Sequence, residues 1–386
     1  MNKKLFFIVL LVCNKALSQK FVPPKDKQLL IIGQDLKSVK DYTTTNGFPP
    51  PGGHTVYISL YGLNSSKGPF PFGGLGEDRD GNPVATVDWG AGAVSAHMAA
   101  FDTLYEKTVL VIGLSMNEGE KIKGVSKGEW DAEITRLGKF ISKVSKPVYL
   151  RIGYEFEGTW NSSYNDPEVY KAAFTRVAQV LRRQGVTNVA TVWQTSASPI
   201  DDIIEKKTEN IEDWYPGSDV VDWMALSWFL NPRVSSSTTS IKTTQEQLAE
   251  ELLMLARKHN KPVMIAESTP QGYDLKMLTK RNITGILDGA AGENLRQLKA
   301  KEIWKNWYKP FFGFIAKNKN IIRAVAYINA NWDKQAMWGP PYNGGYWGNS
   351  QVQDNASISR RWKKEIKKKN WLHGGNRLFF LLSSSR

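Results

Sequence analysis

Two glutamates stand where apolar runs end. Glu155 follows "KPVYLRIGY" (146–154) and Glu267 follows "KPVMIA" (261–266). An ionised carboxylate buried in a packed core is costly unless it is paired or hydrogen-bonded, so packing alone gives no reason for either. A pair of carboxylates can divide the work of breaking a glycosidic bond: one protonates the departing oxygen, and the other attacks the anomeric carbon or activates water. The 14 tryptophans suit that chemistry, because indole faces stack on sugar rings. Alternatives stay open at this point. Glu157 is a second candidate for the acid, Arg151 can pair with Glu155 and make it structural, and Glu267 can cap the loop that follows it.

Competing chemistries find little material. Cys13 is the only cysteine, and it lies in an N-terminal run that reads as a leader, so neither a disulfide nor a thiol nucleophile is expected. The four histidines, His54, His97, His259 and His373, lie far apart and show no metal-ligand spacing or G-x-S-x-G context. No metal and no cofactor is expected. The formal net charge of +14 invites a polyanion, yet part of it is the local run "RRWKKEIKKKN" (360–370), which reads as a solvated helix. A nucleic-acid partner is not expected, since that run carries no recognition motif.

The elements that must position the glutamates follow from eight short apolar, β-branched runs: 29–35, 55–61, 108–116, 147–155, 188–195, 220–229, 262–269 and 323–332. Helix-like segments at 92–106, 129–144, 167–184, 244–259 and 297–318 fall between them, several with good caps such as Asp166-Pro167. The alternation predicts an α/β chain forming a (β/α)8 TIM barrel, a single catalytic domain over 19–366. A doubly wound sheet is the alternative, but no G-x-G-x-x-G follows the first strand.

Functional residues in such barrels gather at the C-terminal ends of the strands. Those ends carry Glu155, Trp193, Trp228, Phe229, Glu267, Asn329 and Trp332. Two-residue alternation places Arg151, Gly153 and Glu155 on one face of strand 4, and Val263, Ile265 and Glu267 on one face of strand 7, both able to point inward. Trp193 and Trp228 are divided evenly between cleft and core. Trp332, Trp338, Tyr342, Tyr346 and Trp347 lie among Gly, Pro and Asn and read as a sugar-binding wall, while the Gly- and Pro-rich stretches 46–54 and 65–83 read as loops shaping the cleft.

The segment "KPVYLRIGYEFEGTWN" (146–161) resembles the acid/base segment of glycoside hydrolase family 26, the β-mannanase and β-xylanase group of clan A. "KPVMIAES" (261–268) resembles its nucleophile strand, and "VATVWQTS" (189–196) its fifth strand. The resemblance implies Glu155 as general acid/base, Glu267 as nucleophile, Arg151 and Tyr154 in support, and Trp160 and Trp193 as subsite walls. Two positions depart from the family's pattern. Tyr154 replaces a His, and Phe229 replaces a Tyr that hydrogen-bonds the nucleophile, so Tyr327, Arg151 or another donor must do that work. The implied activity is a retaining endo-hydrolysis of mannan, xylan or mixed-linkage glucan; the charge keeps an acidic or sulfated galactan open, and a non-catalytic carbohydrate-binding barrel is the rival.

The first 18 residues read as a signal peptide cleaved before Gln19, giving a secreted or periplasmic monomer; lipid anchoring at Cys13 is the alternative. The basic and apolar tail 367–386 fits no barrel element, and its Leu-Phe-Phe-Leu-Leu run is too short to cross a membrane.

Overall fold

The computed structural model describes residues 19–200, 210–230 and 243–383. Eight parallel strands run through it: β1 (Gln28–Gly33), β2 (Gly53–Ser59), β3 (Val109–Ser115), β4 (Val148–Ile152), β5 (Val189–Thr195), β6 (Trp223–Trp228), β7 (Val263–Ser268) and β8 (Ile322–Ile328). Each pairs with the next, and β8 pairs with β1 from Leu29↔Ala324 to Gly33↔Ile328, which closes the sheet. This is the expected (β/α)8 barrel.

Side-chain parity sorts the strands into two layers. Leu29 and Ile31, Val109 and Val111, Tyr149, Ala190 and Val192, Trp223 and Ala225, Met264 and Ala266 form one cluster, the barrel interior. The alternate residues, including Leu150, Trp193, Leu226 and Ile265, join a larger cluster with the surrounding helices. Among those helices are α1 (Leu36–Thr43), α2 (Asp131–Lys143), α3 (Pro167–Arg183), α4 (Gln245–Lys258) and α5 (Lys309–Lys317). Their starts follow from capping chemistry: Asp166 accepts from two backbone amides ahead of Pro167, and Thr244 forms a reciprocal capping box with Gln247. The helix α1, capped by Asp35, has no counterpart in the sequence reading.

The basic run belongs to α6 (Ala356–Ile366), which buries Ile358, Trp362 and Ile366 and exposes Arg360, Arg361 and Lys364. The tail, assigned no barrel element from sequence, does have a place in the fold. Trp371–Leu372 adds a short parallel strand to the start of β1, and α7 (Leu378–Ser383) buries Leu378 and Leu382 in the interior cluster. Together with Val22 they close the end of the barrel where the strands begin.

The expected signal peptide and Cys13 lie outside the described residues. Among the described residues no helix is long and apolar enough to cross a membrane, and no group of three His, Cys, Asp or Glu is placed to hold a metal ion.

Candidate active site

Arg151 is the centre of the opposite end. It lies on β4 two residues after Tyr149, hence inward-facing, and it is fully buried. Its Nη2 donates to Oε1 of Glu267, its Nε to Oε1 of Gln194 at 2.5 Å, and its Nη1 to the hydroxyl of Tyr57 at 3.2 Å. The guanidinium also lies against the rings of Tyr154 and Tyr57, at 4.8 and 5.2 Å from their centroids. A buried cation so fully engaged stays charged, and it gives Glu267 the partner that a buried carboxylate needs.

Glu267 reaches Arg151 by a route that simple alternation does not give. Val263 and Ile265 pack outward, contrary to the inward face expected for them, while Met264 and Ala266 point inward. Glu267 would then face the helices. The pairing of β6 with β7 shifts register, however, from Leu226↔Ile265 to Ser227↔Glu267, skipping Ala266. This bulge turns the carboxylate inward.

Glu155 does not continue β4 either. The strand ends at Ile152, and both Gly153 and Glu155 adopt left-handed backbone, with φ of 55° and 53°. A Cβ at Gly153 would meet Met116 at 2.9 Å and Tyr170 at 3.0 Å, so glycine is required there. A left-handed conformation costs a non-glycine residue about 1–2 kcal/mol, which the surroundings must offset. They do so through the Glu155 amide donating to Gln194 O at 2.9 Å and through Asn161 Nδ2 donating to the carbonyls of Tyr154 and Glu155. The side chain then accepts from Ser227 Oγ at 2.5 Å and from Trp160 Nε1 at 3.0 Å. Burial first, and the neighbouring charge of Glu267 second, push the Glu155 carboxyl well above the usual range.

Glu157 has a different task. It accepts from the Thr195 hydroxyl and, at 3.0 Å, from the Ala197 amide, tying this loop to the end of β5. Glu155, by contrast, reaches Ser227 and the partly exposed Trp160.

The expected aromatic walls need correction. Trp193 is 0% exposed, because it lies on the helix-facing side of β5, stacked on Phe156 at 4.9 Å. Trp228 is equally buried, against Phe311 and Phe314. Neither can stack on a sugar. Asn329 is buried as well, accepting from the Val352 amide and donating to Gln353, so it fastens the chain after β8. Trp332 and Trp347 are buried against each other at 4.7 Å, leaving Phe229 and Trp338 as half-buried members of that cluster. Trp160, 50% exposed, is the aromatic that combines an open face with contact to a glutamate.

Of the donors expected for Glu267 in place of Phe229, Arg151 is the one in contact with it. Tyr327 bonds Tyr308 and the Ser350 carbonyl instead. Sequence reasoning missed Gln194, Ser227 and Tyr57. The signal was available: polar side chains at inward positions near the ends of apolar strands.

No family model matches the sequence. The chain is 34% identical over 366 residues to the β-1,3-xylanase TXYA of a Vibrio species, covering 94% of this chain and 70% of that protein. It is 32% identical over 365 residues to a β-1,3-xylanase of an Alcaligenes species, covering 94% and 68%. Among solved structures it is similar to a GH26 β-mannanase from Bacteroides ovatus, with a TM-score of 0.51 at 15% identity over 92% of this chain and 93% of the other. A second neighbour, GH26C of a Muricauda species, gives a TM-score of 0.53 at 12% identity over 92% and 90%. At these identities the structures speak for the fold alone.

Proposed function

Because this chain is a clan A, family 26-like glycoside hydrolase and belongs with those two β-1,3-xylanases, we propose that it is a secreted endo-hydrolase of β-1,3-linked xylan, acting with retention of configuration. The observation that carries the mechanism is the contrast between two buried carboxylates. Glu267 is bound by the Arg151 guanidinium; Glu155 accepts from two neutral donors, Ser227 and Trp160, and burial favours its protonated form. Environments that differ in this way assign a nucleophile and an acid.

In the first half-reaction the Glu155 proton passes to the glycosidic oxygen as that bond breaks, and a Glu267 oxygen bonds the anomeric carbon. In the second, Glu155, now ionised, takes a proton from water; the hydroxide oxygen bonds the anomeric carbon and releases the Glu267 carboxylate. Trp160 offers its exposed face to a sugar beside the acid. The relatives' named substrate puts xylan ahead of mannan, mixed-linkage glucan and acidic galactans, and the sequence of residues 1–18, read as a signal peptide, supports export.

The test is a product screen against β-1,3-xylan, β-1,4-xylan, β-mannan, mixed-linkage glucan and sulfated galactan, with Glu155→Gln and Glu267→Gln as controls. Xylo-oligosaccharides from β-1,3-xylan, first formed with retained anomeric configuration and reduced at least about a hundredfold in both variants, are expected. Inverted product, or full activity in either variant, would refute the assignment.

A further inference from the structure

Three side chains join the two glutamates in one unbroken hydrogen-bonded chain. From Glu267 on β7 it crosses the barrel interior to Arg151 on β4, then passes through Gln194 and Ser227 on the successive strands β5 and β6 to Glu155. Arg151, Gln194 and Ser227 are all fully buried, so no water competes for their donors.

The direction of every bond in this chain is set by chemistry. Arginine has donors only, so the Gln194 atom 2.5 Å from Arg151 Nε is the carbonyl oxygen. The amide nitrogen must therefore face Ser227 Oγ, 3.0 Å away, and it can only donate. With its oxygen already accepting, the single hydroxyl proton of Ser227 is free to point along the 2.5 Å contact to Glu155 Oε1. A serine hydroxyl normally rotates to suit its neighbours; here Gln194 sets its orientation, and Arg151 sets Gln194.

We propose that Gln194 and Ser227 are positioning residues for the acid/base: they hold a hydroxyl donor on Oε1 of Glu155 at 2.5 Å, so that Oε2, which accepts only the longer 3.0 Å bond from Trp160 and lies beside its exposed ring, is the oxygen left to carry the transferable proton. This rests on reading Glu155 as the acid/base. The chain also connects the two catalytic groups, since the cation that holds Glu267 fixes the amide that directs the hydroxyl. The Ser227 bond opposes the upward push that burial and Glu267 exert on Glu155, so it keeps the acid able to ionise when it must serve as the base.

The experiment is the pH dependence of kcat/KM for the full chain and for Ser227→Ala, Ser227→Thr, Ser227→Cys and Gln194→Met. Losing a donor to a carboxylate disfavours its ionised form, so the alkaline limb, which marks deprotonation of the acid, moves upward. A rise of about one to two pH units is expected for Ser227→Ala. Ser227→Thr keeps a hydroxyl and restores the native limb. Ser227→Cys, close in size with a weak donor, falls between them and serves where the alanine chain does not fold. Gln194→Met frees the hydroxyl to rotate and moves the limb part of the way. Alkaline limbs that coincide in all variants, with activity merely scaled down, would overturn the inference. Failure of the underlying reading looks different: Glu155→Gln would then retain activity whatever the Ser227 variants do.

Discussion

Trp160 donates its indole Nε1–H to Oε2 of Glu155 at 3.0 Å while half of its surface stays open to solvent. One side chain thus touches the carboxyl proposed as the acid and keeps an open face beside it. The loop that presents it is held on both sides, by Asn117 Nδ2 donating to the Trp160 carbonyl and by Asn161 bridging to Tyr154 and Glu155.

The two tasks of Trp160 can be separated. Trp160→Phe keeps an aromatic face and removes the donor, and kcat/KM should fall about tenfold, mostly in kcat. Trp160→Ala removes the face as well and should add a KM increase of roughly threefold to tenfold. Steady-state kinetics on xylan oligosaccharides measures both. Equal effects of the two substitutions would mean that the ring face binds nothing.

Arg151 invites a harsher test. Arg151→Met leaves the Glu267 carboxylate buried without its cation, and breaking a buried pair costs about 3–5 kcal/mol. Thermal unfolding should report that loss, and turnover should fall by at least about a hundredfold. Arg151→Lys retains a charge but cannot bond Glu267, Gln194 and Tyr57 with one planar group, so it should restore stability in part and activity hardly at all. A fully active lysine variant would show that charge alone suffices.

The sequence made the barrel legible because strand and helix signals alternate regularly, and it located both glutamates because carboxylates at apolar strand ends stand out. The roles of the tryptophans were harder to read. Trp193 and Trp228 sit near strand ends, as a cleft residue should, yet parity counted from Arg151 places their neighbours Gln194 and Ser227 inward and the indoles outward. Size drew attention to the wrong face. Glu267 shows the converse: parity alone turns it outward, and only the bulge at Ala266, a pairing irregularity without a local sequence mark, brings it in. The left-handed backbone at Glu155 is of the same kind, since it is held by Gln194 on the next strand and by Asn161 six residues further along the chain.

Burial of Glu155 has a consequence for stability. Its carboxyl is raised in the folded state, so between the unfolded value, about 4.3, and the raised one the folded chain binds more protons than the unfolded chain. Stability contributed by this site is therefore greatest at low pH and declines as pH rises through that window. Glu155→Gln cannot ionise and escapes the decline. Its melting temperature should exceed that of the native chain at pH 8 and approach it at pH 4. Parallel melting curves across this range would show that Glu155 titrates normally.

The last prediction concerns the far end of the barrel. Leu378 and Leu382 enter the interior cluster beneath Leu29, Val109, Met264 and Ala324, where a barrel without a cover would expose apolar side chains to water. Each Leu→Ala change there should cost about 2–5 kcal/mol, and a chain ending at Arg377 should lose more than either single variant. The glutamates lie at the opposite ends of the strands, so Leu378→Ala and Leu382→Ala should keep native kcat below their lowered melting temperatures. Calorimetry combined with kinetics at low temperature separates the two effects. A truncated chain that melts like the full one would show that α7 covers nothing the barrel needs covered, and a kcat that falls before unfolding begins would show that the two ends of the barrel are mechanically coupled.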